Sequence, residues 1–191
     1  MEQTAKKRGK TYEMDMCNGP LFPKIIAFAV PLILSGILQL LFNAADIIVV
    51  GHFAGRESLA AVGSTTALIN LMINVFVGLS IGANVLVAQY SGAQKHKDLE
   101  ETVHTAMMIA LAGGILLIFI GVCFSGPMLT LMGTPDDVLP LAALYLKIYF
   151  IGMPATLTYN FGSAILRAVG DTKRPLYFLL FAGAVNVVLN L

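Results

Sequence analysis

An all-α, polytopic transmembrane helix bundle is the fold class this sequence predicts, and three observations carry that expectation. The chain is 191 residues long, 57% hydrophobic and only 12% charged, against roughly 25% charged in a typical soluble domain. Its apolar residues run in stretches of about 20 or more, enough to cross a bilayer core of about 30 Å as helices. Those stretches lack strand-like alternation, which favours helices, with every backbone hydrogen bond made inside the segment, over a barrel.

Residues 1–20 read as a solvated, lysine-rich tail (TAKKRGK), and residues 21–191 as a membrane domain of five helices. No short apolar core with a small-residue cleavage site occurs near the start, so the first span is expected to remain as an anchor. Span one is predicted from Phe22 to Val50 with a kink at Pro31, and a loop over 51–58. Span two is predicted from Leu59 to Tyr90 and carries Asn70, Asn74, Asn84 and Gln89. The charged segment 91–101 (SGAQKHKDLEE) is predicted as a loop. Span three follows from Thr102 to Phe124, with Gly113 and Gly114 as a candidate bend. A second loop is predicted over 125–137, which holds turn residues and no Lys or Arg. Span four is predicted from Val138 to Val169, bent at Pro154, and 170–175 is a tight polar turn. Span five begins near Leu176 and is still apolar at Leu191. Its 16 residues make about 24 Å, so the helix is expected to continue past Leu191.

The formal charge of +1 says little, but the placement of the charges says more. With the N-terminus inside, ten of the twelve basic residues fall on the inner side: Lys6, Lys7, Arg8, Lys10, Lys24, Lys95, Lys97, Arg167, Lys173 and Arg174. Only Arg56 lies in an outer loop, and Lys147 is expected to snorkel to the outer end of span four. The bias predicts a cytoplasmic N-terminus in a plasma membrane.

Asp46 is the only carboxylate inside a long apolar stretch. An acid at that depth costs about 2.5–3.5 kcal/mol on insertion scales, so it is expected to face a partner, an ion or a water-filled path. Burial raises a carboxylate's pKa and a nearby cation lowers it, which lets one group take up and release a proton or Na⁺. The plainer reading is an acid near the outer interface that meets water, since Asp46 lies only about a turn from Gly51. Asn186 and Asn190 are four apart, on one face of span five. Their amide oxygens can ligate a cation, bond a protonated acid, or join two helices. Beside Asp46, a shared polar site is the favoured reading. Gln39 and Asn43 lie two turns and one turn before Asp46 and either line a cavity or pack on span two. Asn70 and Asn74 read as interhelical hydrogen-bonding residues, and Gly78-x-x-x-Gly82 as a close-packing pattern.

No His/Cys cluster, Gly-rich phosphate loop, nucleophile–base pair or nucleic-acid signature occurs. The chain is therefore expected to be no enzyme and to need no cofactor, the one candidate metal ion being Na⁺ at Asp46. Cys17 and Cys123 are isolated, and no disulfide is expected.

From about Gly19 to Leu191 the chain resembles the N-terminal half of a multidrug and toxic compound extrusion (MATE) transporter. The matching stretches are FNAADIIVVGHFAG, LAAVG, GANVLVAQYSGA, AILRAVGDTKRP and VNVVLNL, in that order and spacing. The resemblance implies two six-helix lobes around a cavity that opens alternately to either side, exchanging small organic compounds for H⁺ or Na⁺. This chain would then be part of the first lobe, needing the C-terminal lobe and the bilayer as partners. An acid in the first helix belongs to the family's cation site, and Asp46 matches it. The fifth helix commonly supplies an Asn and, four residues on, an Asp. Asn186 matches the first and Asn190 departs from the second. A single carboxylate makes the site less negative, which favours protonation over Na⁺. The alternatives are a lipid-linked oligosaccharide flippase of the same superfamily, whose cavities need cationic residues absent from the outer halves of spans one and two, and a non-transporting membrane remnant.

Overall fold

The computed structural model describes Met14, residues 19–53 and residues 55–190, the side chain of Asn190 excepted. Six helices follow in order: α1 (Leu21–Phe53), α2 (Gly55–Gly92), α3 (His96–Leu131), α4 (Leu139–Ile151), α5 (Met153–Ala168) and α6 (Lys173–Asn190). Among the described residues there is no strand. Short connections turn each long helix back on the previous one. The ends of α2 and α5 and the starts of α1, α3 and α6 therefore share one side, called here the tail side.

Among the described residues three helices are long and apolar enough to cross a membrane, and α4 with α5, bent by 49° at a short break, pass the same test together as one broken span. The break falls at Gly152, where Pro154 in the first turn of α5 has no N–H to continue the α4 ladder. Span four is thus bent where Pro154 predicts. By contrast α1 continues as one helix through Pro31, its only buried residue among those described, and the Ser35 hydroxyl donates to the Pro31 carbonyl at 2.8 Å.

The three predicted loops are far shorter than their composition indicates. The segment 51–58 is helical on both sides of Ala54, and α2 starts on Gly55, whose φ of +82° suits only glycine. Segment 91–101 is cut to Ala93–Lys95, because its charges are spaced for a helix. Lys95–Asp98 (3.8 Å), Lys97–Glu101 (3.9 Å) and Glu100–His104 (3.8 Å) are pairs three or four residues apart. Each such pair supplies only about 0.2–0.5 kcal/mol, but they permit the helix where hydropathy alone predicts coil. Segment 125–137 is likewise helical as far as Leu131, with Pro127 inside α3. At 38 residues, α2 is about 57 Å long, nearly twice a bilayer core, so α2 and α3 overreach the hydrocarbon or tilt within it.

The core lies among α2 to α5. Leu68, Leu117, Leu146, Phe150, Met153, Leu157 and Phe161 are buried there. Glycines on α3 let the helices come close. A Cβ on Gly113 would run into the Phe76 ring and one on Gly121 into Phe150, while one on Gly114 would stand 2.5 Å from the Pro154 Cα. Gly113 and Gly114 are therefore contact points inside a continuous helix, not a bend. The Gly78-x-x-x-Gly82 pattern departs from its expected role: Cβ atoms there would meet nothing within 4 Å.

The turn between α5 and α6 is buried, unusually for a loop. Asp171 is 0% exposed; its Oδ1 accepts the N–H groups of Lys173 (3.1 Å) and Arg174 (3.0 Å), capping α6. Its Oδ2 lies 3.1 Å from Arg174 Nε. Gly170 has φ +87°, and a Cβ on it would stand 2.7 Å from the Met14 carbonyl oxygen, so Met14 lies directly on this turn.

Two outcomes follow for thermal unfolding of the full-length protein in detergent. Gly114→Ala is expected to lose about 1–3 kcal/mol through overpacking on backbone that cannot move, whereas Gly78→Ala is expected to be neutral; equal melting temperatures would refute the packing role. Asp171→Ala is expected to lose about 1–2 kcal/mol, the worth of a good cap, with Asp171→Asn retaining part of it.

Candidate functional site

Gln39 and Asn43 of α1 and Asn186 of α6 meet along one seam. Both helices start on the tail side, so they run parallel, and each is the other's principal neighbour. Gly183 makes the approach possible, because the Phe42 ring sits where its Cβ would be. Beside that contact opens a cavity of about 310 Å³, lined by Gln39, Phe42 and Asn43 of α1 and by Leu179, Ala182, Gly183 and Asn186 of α6. Gln39, Asn43 and Asn186 are thus brought together, and the cavity reading of Gln39 and Asn43 replaces packing on α2.

Asp46 lies one turn past Asn43 on the same face of α1 and is half-buried. It does not line the cavity. It sits within electrostatic range of the Tyr145 phenol on α4, and both Asp46 and Asn186 are engaged with partners in the fold. Tyr145 and Tyr149 form a tilted pair with ring centres 6.1 Å apart. Sequence reasoning missed these tyrosines, although two Tyr four apart in an apolar span was a usable signal. Asn190 ends α6, one turn beyond Asn186, and its side chain lies outside the described residues.

The other polar residues divide differently from expectation. Asn74 Nδ2 donates to the Asn70 carbonyl at 2.7 Å on an exposed face of α2, so this pair closes on its own helix and ties no second helix. Asn84 is the residue that does: its Nδ2 donates to the Ala164 carbonyl of α5 at 2.5 Å. Among the described residues no group of three or more His, Cys, Asp or Glu could hold a metal ion. What the seam offers chemically is one carboxylate, three side-chain amides close by and a phenol: groups able to hold a proton or a small monovalent cation.

The MatE family model matches residues 31–191. This chain belongs to the MATE family. It is 35% identical over 162 residues to a probable multidrug resistance protein, YoeA, of Bacillus subtilis (strain 168), covering 85% of this chain and 35% of that one. A MOP superfamily transporter from Pyrococcus furiosus, described as having a binding pocket of reversed polarity, superposes with a TM-score of 0.86 at 25% identity, over 97% of this chain and 40% of that one. A crystal structure of MATE in complex with MaD3S superposes with a TM-score of 0.82 at 26% identity, over 87% and 37%. The chain therefore spans little more than a third of the length of these MATE relatives, and its helical bundle corresponds to part of their fold. The comparisons are with transporters rather than enzymes.

The α1–α6 contact is open to test by a double-mutant cycle. Gly183→Ala is expected to destabilise the protein and Phe42→Ala to relieve that loss, giving a coupling energy of about 0.5–3 kcal/mol; additive effects in thermal unfolding would place Phe42 away from Gly183.

Proposed function

We propose that this MATE chain forms the first part of a cation-coupled exporter of small organic compounds that works by alternating access across the cell membrane. The observation that carries the reading is the placement of Asp46, half-buried in α1 a turn from a cavity that gathers Gln39, Asn43 and Asn186. A carboxylate can take up and release a proton or a small cation, and Asp46 is the only one in an apolar span. That makes Asp46 the ion carrier. Asn186 and Asn190 on α6 supply amide oxygens to the bound ion, and the Tyr145 phenol steadies the charged form. Gln39 and Asn43 line the path beside it. The multidrug resistance protein of Bacillus subtilis supports an organic, xenobiotic substrate. The rest of the transporter, the C-terminal lobe in particular, would close the cavity, and the tail side would face the cytoplasm, where the basic residues accumulate.

With Asn190 where relatives of this design commonly place a second acid, H⁺ is the proposed coupling ion in preference to Na⁺. A lone carboxylate with neutral amides holds Na⁺ weakly, while its protonation needs no second negative charge. In full-length protein reconstituted into vesicles, Asp46→Asn is expected to abolish ion-coupled efflux while membrane insertion persists. Efflux by the unaltered protein is expected to follow an imposed pH gradient and to ignore Na⁺. Efflux that required Na⁺ and ignored pH would sink the proton assignment, and an Asp46→Asn protein that still exported would remove Asp46 from the mechanism.

A further inference from the structure

The turn between α5 and α6 does not sit at the tail-side rim of the bundle. From the Phe42–Gly183 contact, α1 runs back to Leu21 over about 32 Å, whereas α6 runs back to Lys173 over only about 15 Å. The two helices are parallel, so the turn is recessed by about 17 Å behind the start of α1. It stands near the level of Pro31, the buried residue of α1.

Met14 lies in this recess. Its backbone N and O stand 3.1 Å and 2.7 Å from where a Cβ on Gly170 would be. Met14 precedes Leu21 by seven residues, a reach of at most about 25 Å, so the chain comes back along α1 to seat it. Gly19, within that stretch, has φ +92°, a conformation that favours glycine and suits a reversal. With Met14 seated, Gly170, Asp171 and Thr172 are all buried, whereas a loop carrying a carboxylate is ordinarily wet.

The seat lies between the tail side and the α1–α6 cavity. The cavity residue of α6 nearest the tail side is Leu179, about 9 Å farther along the helix than Lys173. The contact is also of a kind that can be undone, because what it covers is polar. Asp171 and Thr172 regain hydration when uncovered, and Arg174, the partner of Asp171, has a side chain already 44% exposed.

We propose that the segment bearing Met14 is a plug. Seated on Gly170, it closes the approach to the α1–α6 cavity from the tail side; unseated, it opens that approach. Gly170 is the socket, since a Cβ there collides with the Met14 backbone. The proposal rests on the cavity and not on ion coupling at Asp46. Its test reads access rather than efflux, so either reading can fail alone.

The test is thiol labelling of the full-length protein in vesicles. Leu179→Cys, with the other cysteines replaced by Ser, puts a probe on the cavity wall nearest the plug, and a membrane-impermeant maleimide is added to the tail side. Removing residues 2–14 leaves Lys24, Lys95, Lys97, Arg167, Lys173 and Arg174 to hold the orientation. That removal is expected to speed labelling about tenfold, because a seated segment admits reagent only in its open fraction. Gly170→Asn, which introduces a residue that tolerates positive φ, is expected to speed labelling as much in the intact chain and to add nothing once residues 2–14 are gone. Equal labelling rates with and without residues 2–14 would overturn the proposal. So would a Gly170→Asn effect that persists in the shortened chain, which would trace it to backbone strain. A matching rise in labelling from the opposite side would also overturn it, as general loosening. If Gly170→Asn does not fold, the shortened chain decides alone.

Discussion

The whole bundle depends on how closely α3 can approach the broken α4–α5 span. Pro154 interrupts the helix in mid-membrane, and the freed backbone there must be shielded by protein, because lipid offers it no hydrogen-bond partner. The shield is α3, which has no side chain at the points of contact: Gly114 faces Pro154, and Gly121 faces Phe150. Without a strong hydrophobic drive between helices in lipid, such contact is itself the principal source of association. With α3 and α5 fixed to each other, α2 closes the core from a third side, and Gly113 admits the Phe76 ring. Asn84 adds a directed bond from α2 to α5.

The polar seam lies outside that core. Helix α1 buries only Pro31 among its described residues and packs on α6 and α2. A carboxylate and amides placed among α2 to α5 would have to be fully satisfied in a dry interior. At the α1–α6 seam the amides of Gln39, Asn43 and Asn186 line a cavity large enough for water or ions, and Asp46 lies a turn away. The tightly packed half of the fold thus carries the loosely packed half, and the polar residues sit in the latter. The buried Asp171 turn joins the two, since it ends α5 and caps α6 while Met14 rests on Gly170.

Charge acts differently at each level. On the tail side, charges spaced by three and four residues extend α3 beyond its apolar run. One of the charged groups, Asp171, is fully buried and works through its hydrogen bonds. Others, Asp98 and Glu101, stay exposed at the start of α3 in loose pairs with Lys95 and Lys97.

The fold class, the apolar spans and the bend at Pro154 were legible in the sequence because hydropathy and the missing proline N–H act locally. Asp46, Asn186, Gln39 and Asn43 stood out in the sequence too, since polar groups in apolar runs do so whatever surrounds them. Helix ends were misjudged, because hydropathy reports the bilayer and not helix propensity, and the charged segment 91–101 is polar and helical at once. Glycine roles were reversed: Gly113 and Gly114 pack, whereas Gly78 and Gly82 stand open, and a missing side chain matters only through the neighbour that fills its space. The tertiary structure alone decided that Asn43 and Asn186 share a cavity, that Tyr145 lies near Asp46, and that Asn74 bonds its own helix. Sequence sets which residues need a partner; the distance between helices far apart in the chain sets which partner they find.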